Sequence, residues 1–321
     1  MLSYIARRLL GLIPTLFIIT VIVFALMHAM PGNAFEGLLH TPRGGGGARA
    51  YKNLVHQSGL SLPLWRQYVN WVGNLLHGNF GQSFSQQVPV SQLLAAALPR
   101  TIRLAVAAEI VILLVGVPLG VFQASRQNRP FDAVTNAAAV FFYAVPGFIV
   151  ALFLLLFFSF DLNWFPSAGS VTPSGPGAGG LLDHLKHLAL PAMALAIPSI
   201  AGYSRLTRGT TVQTIVMDFV RTARAKGLRS HRVLFGHVLR YAIIPIISQF
   251  GLDLGSLAGG AIIIEELFTY PGMGELSVQA SSNRDYPVIL ATTLVFAVAV
   301  LIGNLIADIL LAAADPRVRY D

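Results

Sequence analysis

Three carboxylates lie inside apolar segments, where an ionised group is costly and usually serves a transport path or an internal polar contact. They are Glu109, Asp253 and Asp308. Asp253 is the most informative, because Gln249 and Ser256 stand four residues before it and three after it and therefore share its helix face. Two interpretations stay open: Asp253, Gln249 and Ser256 line a path across the membrane, or Asp253 makes a structural bond between helices.

Other chemistry has little support in the sequence. His184 and His187 follow Asp183 at a spacing that a metal site can use, but a solvated helix start explains them better. The chain has no cysteine, no HExxH and no phosphate-binding GxxxxGK[ST] loop, and Gly44–Gly47 lacks the Lys-Ser/Thr that such a loop needs. We therefore predict no catalytic residue, no metal and no cofactor bound by this chain.

The composition predicts a membrane protein. Of 321 residues, 55% are hydrophobic and 11% are charged, and the mean hydropathy is +0.66. Soluble domains carry about 25% charged residues, so this chain has too few charges to cover a water-facing surface. The net charge of +8 could suggest nucleic acid, but most basic residues stand at the ends of apolar segments, so we expect no nucleic-acid partner.

Apolar segments long enough to cross a bilayer, which takes about 20 residues, predict an all-α fold. Proline interrupts the third at Pro146 and the fourth at Pro191 and Pro198, and membrane helices tolerate this because neighbours satisfy the freed backbone groups. The six segments are 9–29, 101–125, 134–158, 187–204, 240–264 and 288–314. We divide the chain into 1–100, a core of 101–314 and a tail of 315–321.

The distribution of Lys and Arg predicts that both termini are cytoplasmic. With the N-terminus inside, inner segments carry 14 of the 22 basic residues, whereas the short outer loops at 159–184 and 265–287 carry Arg284 as their only arginine. Cytoplasmic loops are enriched in basic residues, and loops longer than about 60 residues largely escape this rule. The basic residues of the long loop 30–100 therefore do not oppose the assignment.

Two outer segments have an organisation of their own. An apolar set recurs at helical spacing in the first outer loop and predicts an amphipathic helix, which either lies in the membrane interface or packs against the spans. Its members are Leu64, Trp65, Tyr68, Val72, Leu75 and Leu76. The Gly/Pro/Ser-rich stretch 167–180 is interpreted as a flexible linker.

The cytoplasmic segment 205–240 is the most informative part of the chain. Apolar residues from Val212 to Ala223 recur at helical spacing, and Gly227 suits the left-handed position that ends a helix. Ser230 is a candidate N-cap for a second helix that continues into the fifth span. This predicts a rigid helix–turn–helix elbow; a polybasic segment bound to anionic lipid is the alternative.

The elbow resembles the EAA loop of binding-protein-dependent ABC importer permeases, through RTA at 221–223, Gly227 and Ile244-Pro245. Arg221 and Thr222 replace the usual Glu and Ala, and the interval to the proline is longer, as in the dipeptide/oligopeptide/nickel branch. The resemblance implies a coupling helix that docks on an ATP-binding subunit. The residues it assigns to coupling are Phe219, Arg221, Thr222, Ala223, Arg224, Lys226, Gly227 and Leu228.

Further motifs resemble the B-type permease of that branch over nearly the whole chain. They are ARRLLGLIPTLFIITVIVF, MPGN, HGNFGQSF, EELFTYPGMGEL, RDYP and DPRVRY. The resemblance implies the type I ABC importer permease fold in a bacterial inner membrane. It also implies a second permease, two cytoplasmic ATPases that carry ATP and Mg²⁺, and an extracytoplasmic binding protein. Dipeptides, longer peptides, glutathione and nickel chelates all remain open as substrates.

Two other functions compete with the importer. A secondary transporter would use Asp253, Glu109 or Asp308 to couple transport to an ion gradient, but the matched broken helices typical of such proteins are not evident in the sequence. A structural or lipid-binding membrane protein would use the basic loop electrostatically. Stoichiometric ATPase subunits would distinguish the importer from both.

Overall fold

The computed structural model describes residues 2–29, 62–175 and 177–314; for residues 2–6, 27 and 255–260 it describes the backbone alone. Every regular element in these ranges is helical. The α-helices are α1 Leu2–Ala29, α2 Leu64–Leu76, α3 Val90–Ser125, α4 Pro130–Ala144, α5 Gly147–Leu154, α6 Leu181–Ile215, α7 Asp218–Ala225, α8 Ser230–Val233, α9 Leu239–Leu267, α10 Met273–Ser282 and α11 Tyr286–Ala314. The MPGN and DPRVRY motifs lie outside the described residues.

The predicted all-α membrane fold is confirmed. Five helical stretches are long and apolar enough to cross a membrane, and α4 with α5 supplies a sixth if the bent pair is one span. The third predicted span, 134–158, is sharply bent, with an angle of 100° between its two helices. Val145 adopts an extended backbone, with ψ 124°, since the ring of Pro146 disfavours a helical residue before it. The chain continues beyond α5 as a π-helix, Leu155–Asp161.

The fourth span is continuous although it contains Pro191 and Pro198. It packs against α3 so closely that a Cβ on Gly116 or Gly120 would collide with it; at Gly120 the obstacles are the Ser204 carbonyl and the Thr207 side chain. Small residues let backbones approach in this way. Packing against α3 thus keeps α6 continuous at positions where its prolines would weaken the helix.

The buried core lies around α6. Side chains of α3, α5 and α9 close over it, and the cluster includes Leu104, Val150, Leu190 and Phe268. By contrast α1 exposes most of its apolar residues, as at Leu10, which is 64% exposed. An unpartnered apolar surface of this kind suits contact with lipid.

The first span joins the bundle through α11. Arg8 on α1 lies 3.1 Å from Asp308 on α11, so one of the three intramembrane carboxylates is part of an ion pair between helices. The predicted amphipathic helix is present as α2 and packs on α1: the Tyr68 hydroxyl is 2.8 Å from Thr20 Oγ1, and its ring meets Phe24 edge-on at 5.4 Å. Trp65 and Leu76 stay exposed.

The stretch interpreted as a flexible linker makes hydrogen bonds to the start of α6. Asp183 accepts hydrogen bonds from the backbone and hydroxyl of Thr172 and from the Gly179 amide, at 2.6–3.0 Å. His187 is buried, and its Nδ1 lies 3.1 Å from the Gly169 carbonyl oxygen. It is therefore not solvated, and the described residues contain no cluster suited to a metal.

Candidate functional site

The predicted helix–turn–helix elbow is present, but its first arm is shorter than the sequence pattern predicted. Helix α6 runs through Ile215, and Met217 then takes an extended conformation, with ψ 151°, that ends it. The helix predicted to act in coupling is α7, Asp218–Ala225. Val212 and Ile215 therefore belong to α6, because tertiary packing extends that helix past the point where the apolar stripe suggested a new element.

Gly227 ends α7 in the predicted left-handed conformation, with φ +77°. The Gly227 amide donates to the Arg224 carbonyl, and the Leu228 amide donates to the Ala223 carbonyl at 3.4 Å. This pair of bonds satisfies carbonyls that the helix end would leave open. The turn is thus closed by backbone bonds that require a positive φ at residue 227.

The apolar face of α7 packs inside the elbow. Val220 and Ala223 are buried against Val233 and Val238 of the second arm. Leu228 and Phe219 pack at the edge of this cluster, and the Phe219 ring also stacks on Tyr241, with 4.8 Å between ring centroids. Burial of this kind contributes roughly 25 cal/mol per Å², so the apolar contact holds the two arms together.

The opposite face of α7 is exposed and basic. Arg221, Thr222, Arg224 and Lys226 all point away from the cluster and are exposed. Arg221 makes one exposed ion pair, 3.6 Å to Asp218, and surface pairs of this type contribute little. All eight residues assigned to coupling therefore sit on or beside α7, divided between a packed face and a face available for docking.

The second arm runs directly into the fifth span. Helix α8 passes through a π-helical turn, Leu234–Val238, into α9. The prediction of Ser230 as N-cap is wrong: Arg229 holds that position, and no side chain caps the helix. Helix α7 is thus joined along the chain to α6 on one side and, through α8, to α9 on the other.

A cavity of about 740 Å³ lies between α4, α6 and α9. Polar and charged side chains contribute to its wall, and the predicted path residues Gln249 and Asp253 are among them. The lining residues are Asn136, Tyr143, Pro198, Ser199, Gly202, Tyr203, Arg205, Leu206, Arg208, Gln249 and Asp253. The side chain of Ser256 lies outside the described part of the chain, so its place on the path stays a prediction.

Asp253 is positioned by a neighbour on its own helix, and the two interpretations of this residue both stay open. Gln249 Nε2 donates to Asp253 Oδ1 at 2.9 Å, and Tyr203 of α6 lines the same cavity. The Tyr203 hydroxyl also lies 3.4 Å from Glu109 Oε1 on α3. Three helices therefore contribute polar side chains here, and those of α6 and α9 face the cavity.

A bidentate ion pair beside the cavity was not anticipated from the sequence. Arg208 Nε and Nη2 donate to the two oxygens of Asp132 at 2.6 and 2.8 Å, and the carboxylate is 3% exposed. The Asn128 amide also donates to Asp132. Arg–carboxylate pairs of this geometry are strong, and this one fixes the start of α4 to α6. The signal in the sequence was the acidic residue in the first helical turn after Pro130.

The end of α9 away from the elbow is organised by the motif EELFTYPGMGEL. Glu265 is fully buried and accepts hydrogen bonds from the Thr101 hydroxyl and the Gly274 amide, both at 2.7 Å. The Met273 amide donates to the same hydroxyl. A Cβ on Gly272 would collide with the Glu265 carboxylate, so glycine is needed there.

Two other motifs, about 200 residues apart, meet at Asp285. Its carboxylate accepts bonds from the hydroxyls of Ser83 and Ser85, at 2.5 and 2.7 Å, and from the amides of Phe84 and Ser85, at 3.1 Å. Burial raises the pKa of Asp285, but these four bonds outweigh it, so the pKa is lowered overall. The segment before α3 is thereby attached to the start of α11.

Comparison with known families identifies the chain over nearly its full length. The family described as "Binding-protein-dependent transport system inner membrane component" matches residues 116–320. The N-terminal family of the same transport systems matches residues 1–105. Together these matches include the coupling elbow, the cavity and both outer clusters.

Curated relatives match from end to end. The oligopeptide transport system permease protein AppB of Bacillus subtilis is 40% identical, and the alignment covers 100% of both chains. The di/tripeptide permease DppB of Pseudomonas aeruginosa is 36% identical over 100% of this chain and 99% of that one. The glutathione permease GsiC of Escherichia coli is 35% identical, with both chains covered completely.

Among solved structures, the MetNI methionine ABC transporter in inward-facing form matches with a TM-score of 0.56 at 15% identity. The match covers 70% of this chain and 97% of that chain, and it supports the fold alone. The elbow, the membrane spans and the family matches agree: the chain belongs to the binding-protein-dependent transport system inner membrane components, as a permease subunit of an ABC importer.

Proposed function

We propose that this chain pairs with a second homologous permease to enclose the membrane path of an ATP-driven peptide importer. Two cytoplasmic ATPases would dock on the α7 elbows, and an extracytoplasmic binding protein would deliver the substrate. The observation that carries the proposal is the elbow itself, whose exposed basic face is joined through a packed core to the two spans that line the cavity.

The partner ATPases would bind ATP with Mg²⁺, and hydrolysis of the ATP would supply the energy of transport; this chain would contribute the mechanical connection. Closure of the ATPase pair would displace α7. Since Val220 and Ala223 pack against the second arm, α7 and α8 move together rather than flexing, and the displacement reaches α6 and α9. Both helices border the cavity, so their movement would alternate its access between the two sides of the membrane.

The orientation that this mechanism requires has the elbow and both termini in the cytoplasm. The outer clusters at Glu265 and Asp285 then face the binding protein. Their buried hydrogen bonds attach the outer loops to α3 and α11, which gives a docked partner a firm surface to act on.

The substrate class follows from the relatives' own names: an oligopeptide, a di/tripeptide and a glutathione permease. We propose peptides as the substrate of this chain. The ion-driven alternative is disfavoured, because the relatives are subunits of transport systems that depend on a binding protein.

The test is to purify the tagged chain from its native host and to identify the partners that co-purify in stoichiometric amounts. We expect a second permease and two ATPase subunits, and peptide uptake by the reconstituted complex that needs ATP and the binding protein. The isolated chain should hydrolyse no ATP. Uptake by the chain alone, driven by an ion gradient without ATP, would support the secondary transporter instead.

A further inference from the structure

We propose that the cavity between α4, α6 and α9 binds a peptide through its two charged ends. Asp253 would receive the N-terminal ammonium, and Arg205 would receive the C-terminal carboxylate. The proposal rests on peptides being the cargo and adds a binding step inside the permease, separate from recognition by the binding protein.

At the acidic end, Asp253 is half-buried and held in one orientation. Gln249, one turn earlier on α9, donates a hydrogen bond to its Oδ1. A carboxylate has about four acceptor sites, so one that already accepts hydrogen bonds can also receive an ammonium group. A fixed carboxylate in a poorly solvated wall attracts a cation more strongly than one in water does.

At the basic end, Arg205 is the arginine available to a ligand. Arg208 is already engaged by both oxygens of Asp132. The Arg205 side chain is exposed, and its guanidinium lies 5.6 Å from the centre of the Tyr143 ring. Within the described ranges no carboxylate lies in ion-pairing distance of Arg205. A guanidinium held over an aromatic ring presents a planar fork that matches a carboxylate.

The space between these ends suits a short peptide backbone. Ligand cavities generally measure about 300–1,000 Å³, and this one measures about 740 Å³. Asn136, Ser199 and Gln249 line it with groups that can bond peptide amides. Because the two charges bind the ends, the amino-acid side chains of the peptide are not selected, and one cavity serves peptides of many sequences.

The two charges sit on the helices that the elbow connects. Arg205 is on α6, ten residues before its end at Ile215, and Asp253 is on α9, which continues from α8. A displacement of α7 therefore changes the separation of the ammonium site from the carboxylate site. A peptide that fits in one state fits less well in the other, which provides for release.

The experiment measures binding of trialanine to the purified full importer complex in detergent, without binding protein, by competition with N-acetyl-trialanine and trialanine amide. In the wild-type complex, each blocked end should weaken binding about tenfold, as expected for the loss of a charged hydrogen bond. Arg205→Gln should remove the penalty for the amide and keep the penalty for the acetyl group. Asp253→Asn should do the reverse.

Arg129→Gln and Asp161→Asn, which change exposed charges away from the cavity lining, should behave like wild type. Stimulation of ATP hydrolysis by loaded binding protein shows that each variant is folded; if Asp253→Asn fails that check, Arg205→Gln decides alone. Unchanged penalties in the variants, or no trialanine binding at millimolar concentration, would overturn the proposal. ATP-dependent uptake that persists in either case leaves the importer function intact.

Discussion

Replacement of Gly227 tests the elbow most directly, because the structure separates backbone strain from steric clash at this residue. With φ at +77°, the backbone is in a region that side chains disfavour, yet a Cβ placed there would have no neighbour within 4 Å. Within this chain a Cβ at residue 227 meets no obstacle, so a defect of Gly227→Ala reports on the conformation of the turn rather than on a clash inside the permease.

The left-handed conformation costs a non-glycine residue about 1–2 kcal/mol. If α7 must keep this turn to dock, the same free energy is subtracted from the docking equilibrium, which is a factor of roughly 5–30 in affinity. A β-branched side chain is penalised more, so Gly227→Val should have the larger effect. Gly227→Asn should stay close to wild type, since Asn tolerates this conformation best.

The assay compares co-purified ATPase and peptide uptake per ATP hydrolysed at equal amounts of permease. All variants should insert and accumulate, because α7 lies outside the spans. Gly209→Ala is the matched control: it also has open space around its Cβ but sits inside α6 without a positive φ. Alanine there should be neutral or stabilise by up to about 1 kcal/mol.

Normal transport by Gly227→Val at normal abundance would refute this account of the elbow. If the basic segment were instead a lipid tether, neutralising Arg221, Arg224 and Lys226 together should matter most, and the glycine variants should matter little. The elbow account and the lipid-tether account therefore rank the glycine variants and the neutralising variants in opposite order.

Three further predictions concern Asp285, Arg208 and Ser230. Asp285→Asn should expose segment 81–89 to protease. Because the pKa of Asp285 is lowered in the fold, the ionised carboxylate stabilises the fold above its ordinary pKa of about 3.9. Proteolysis of the wild-type protein across a pH series should therefore rise as the pH falls through the lowered pKa. Arg208→Gln should lower the free energy of unfolding in detergent by about 3–5 kcal/mol, because it leaves the Asp132 charge buried and uncompensated. Adding Asp132→Asn should restore much of that free energy. Ser230→Cys, in a chain without cysteine, should react with an impermeant thiol reagent only after the membrane is opened; reaction in intact cells would contradict the orientation.

Local patterns were enough to predict the elements that depend on local physics. A span is recognised from about 20 apolar residues, because lipid contact acts on each residue separately. The turn at Gly227 was predicted for a similar reason, since a positive φ is a property of one residue. The resemblance to the EAA loop, not local physics, assigned the coupling residues; they lie on or beside α7, and their role in coupling stays a prediction.

Only the tertiary structure determined which distant groups meet. Asp285 binds Ser83 and Ser85 from about 200 residues away, and Arg208 binds Asp132, because helix packing rather than spacing brings them together. Packing also decided the effect of prolines inside the predicted spans. Pro146 breaks the third span, whereas Pro191 lies in a continuous α6 that packs along α3. The sequence alone thus determined which segments enter the membrane, and side-chain packing between helices determined the shape of the cavity and the charges that line it.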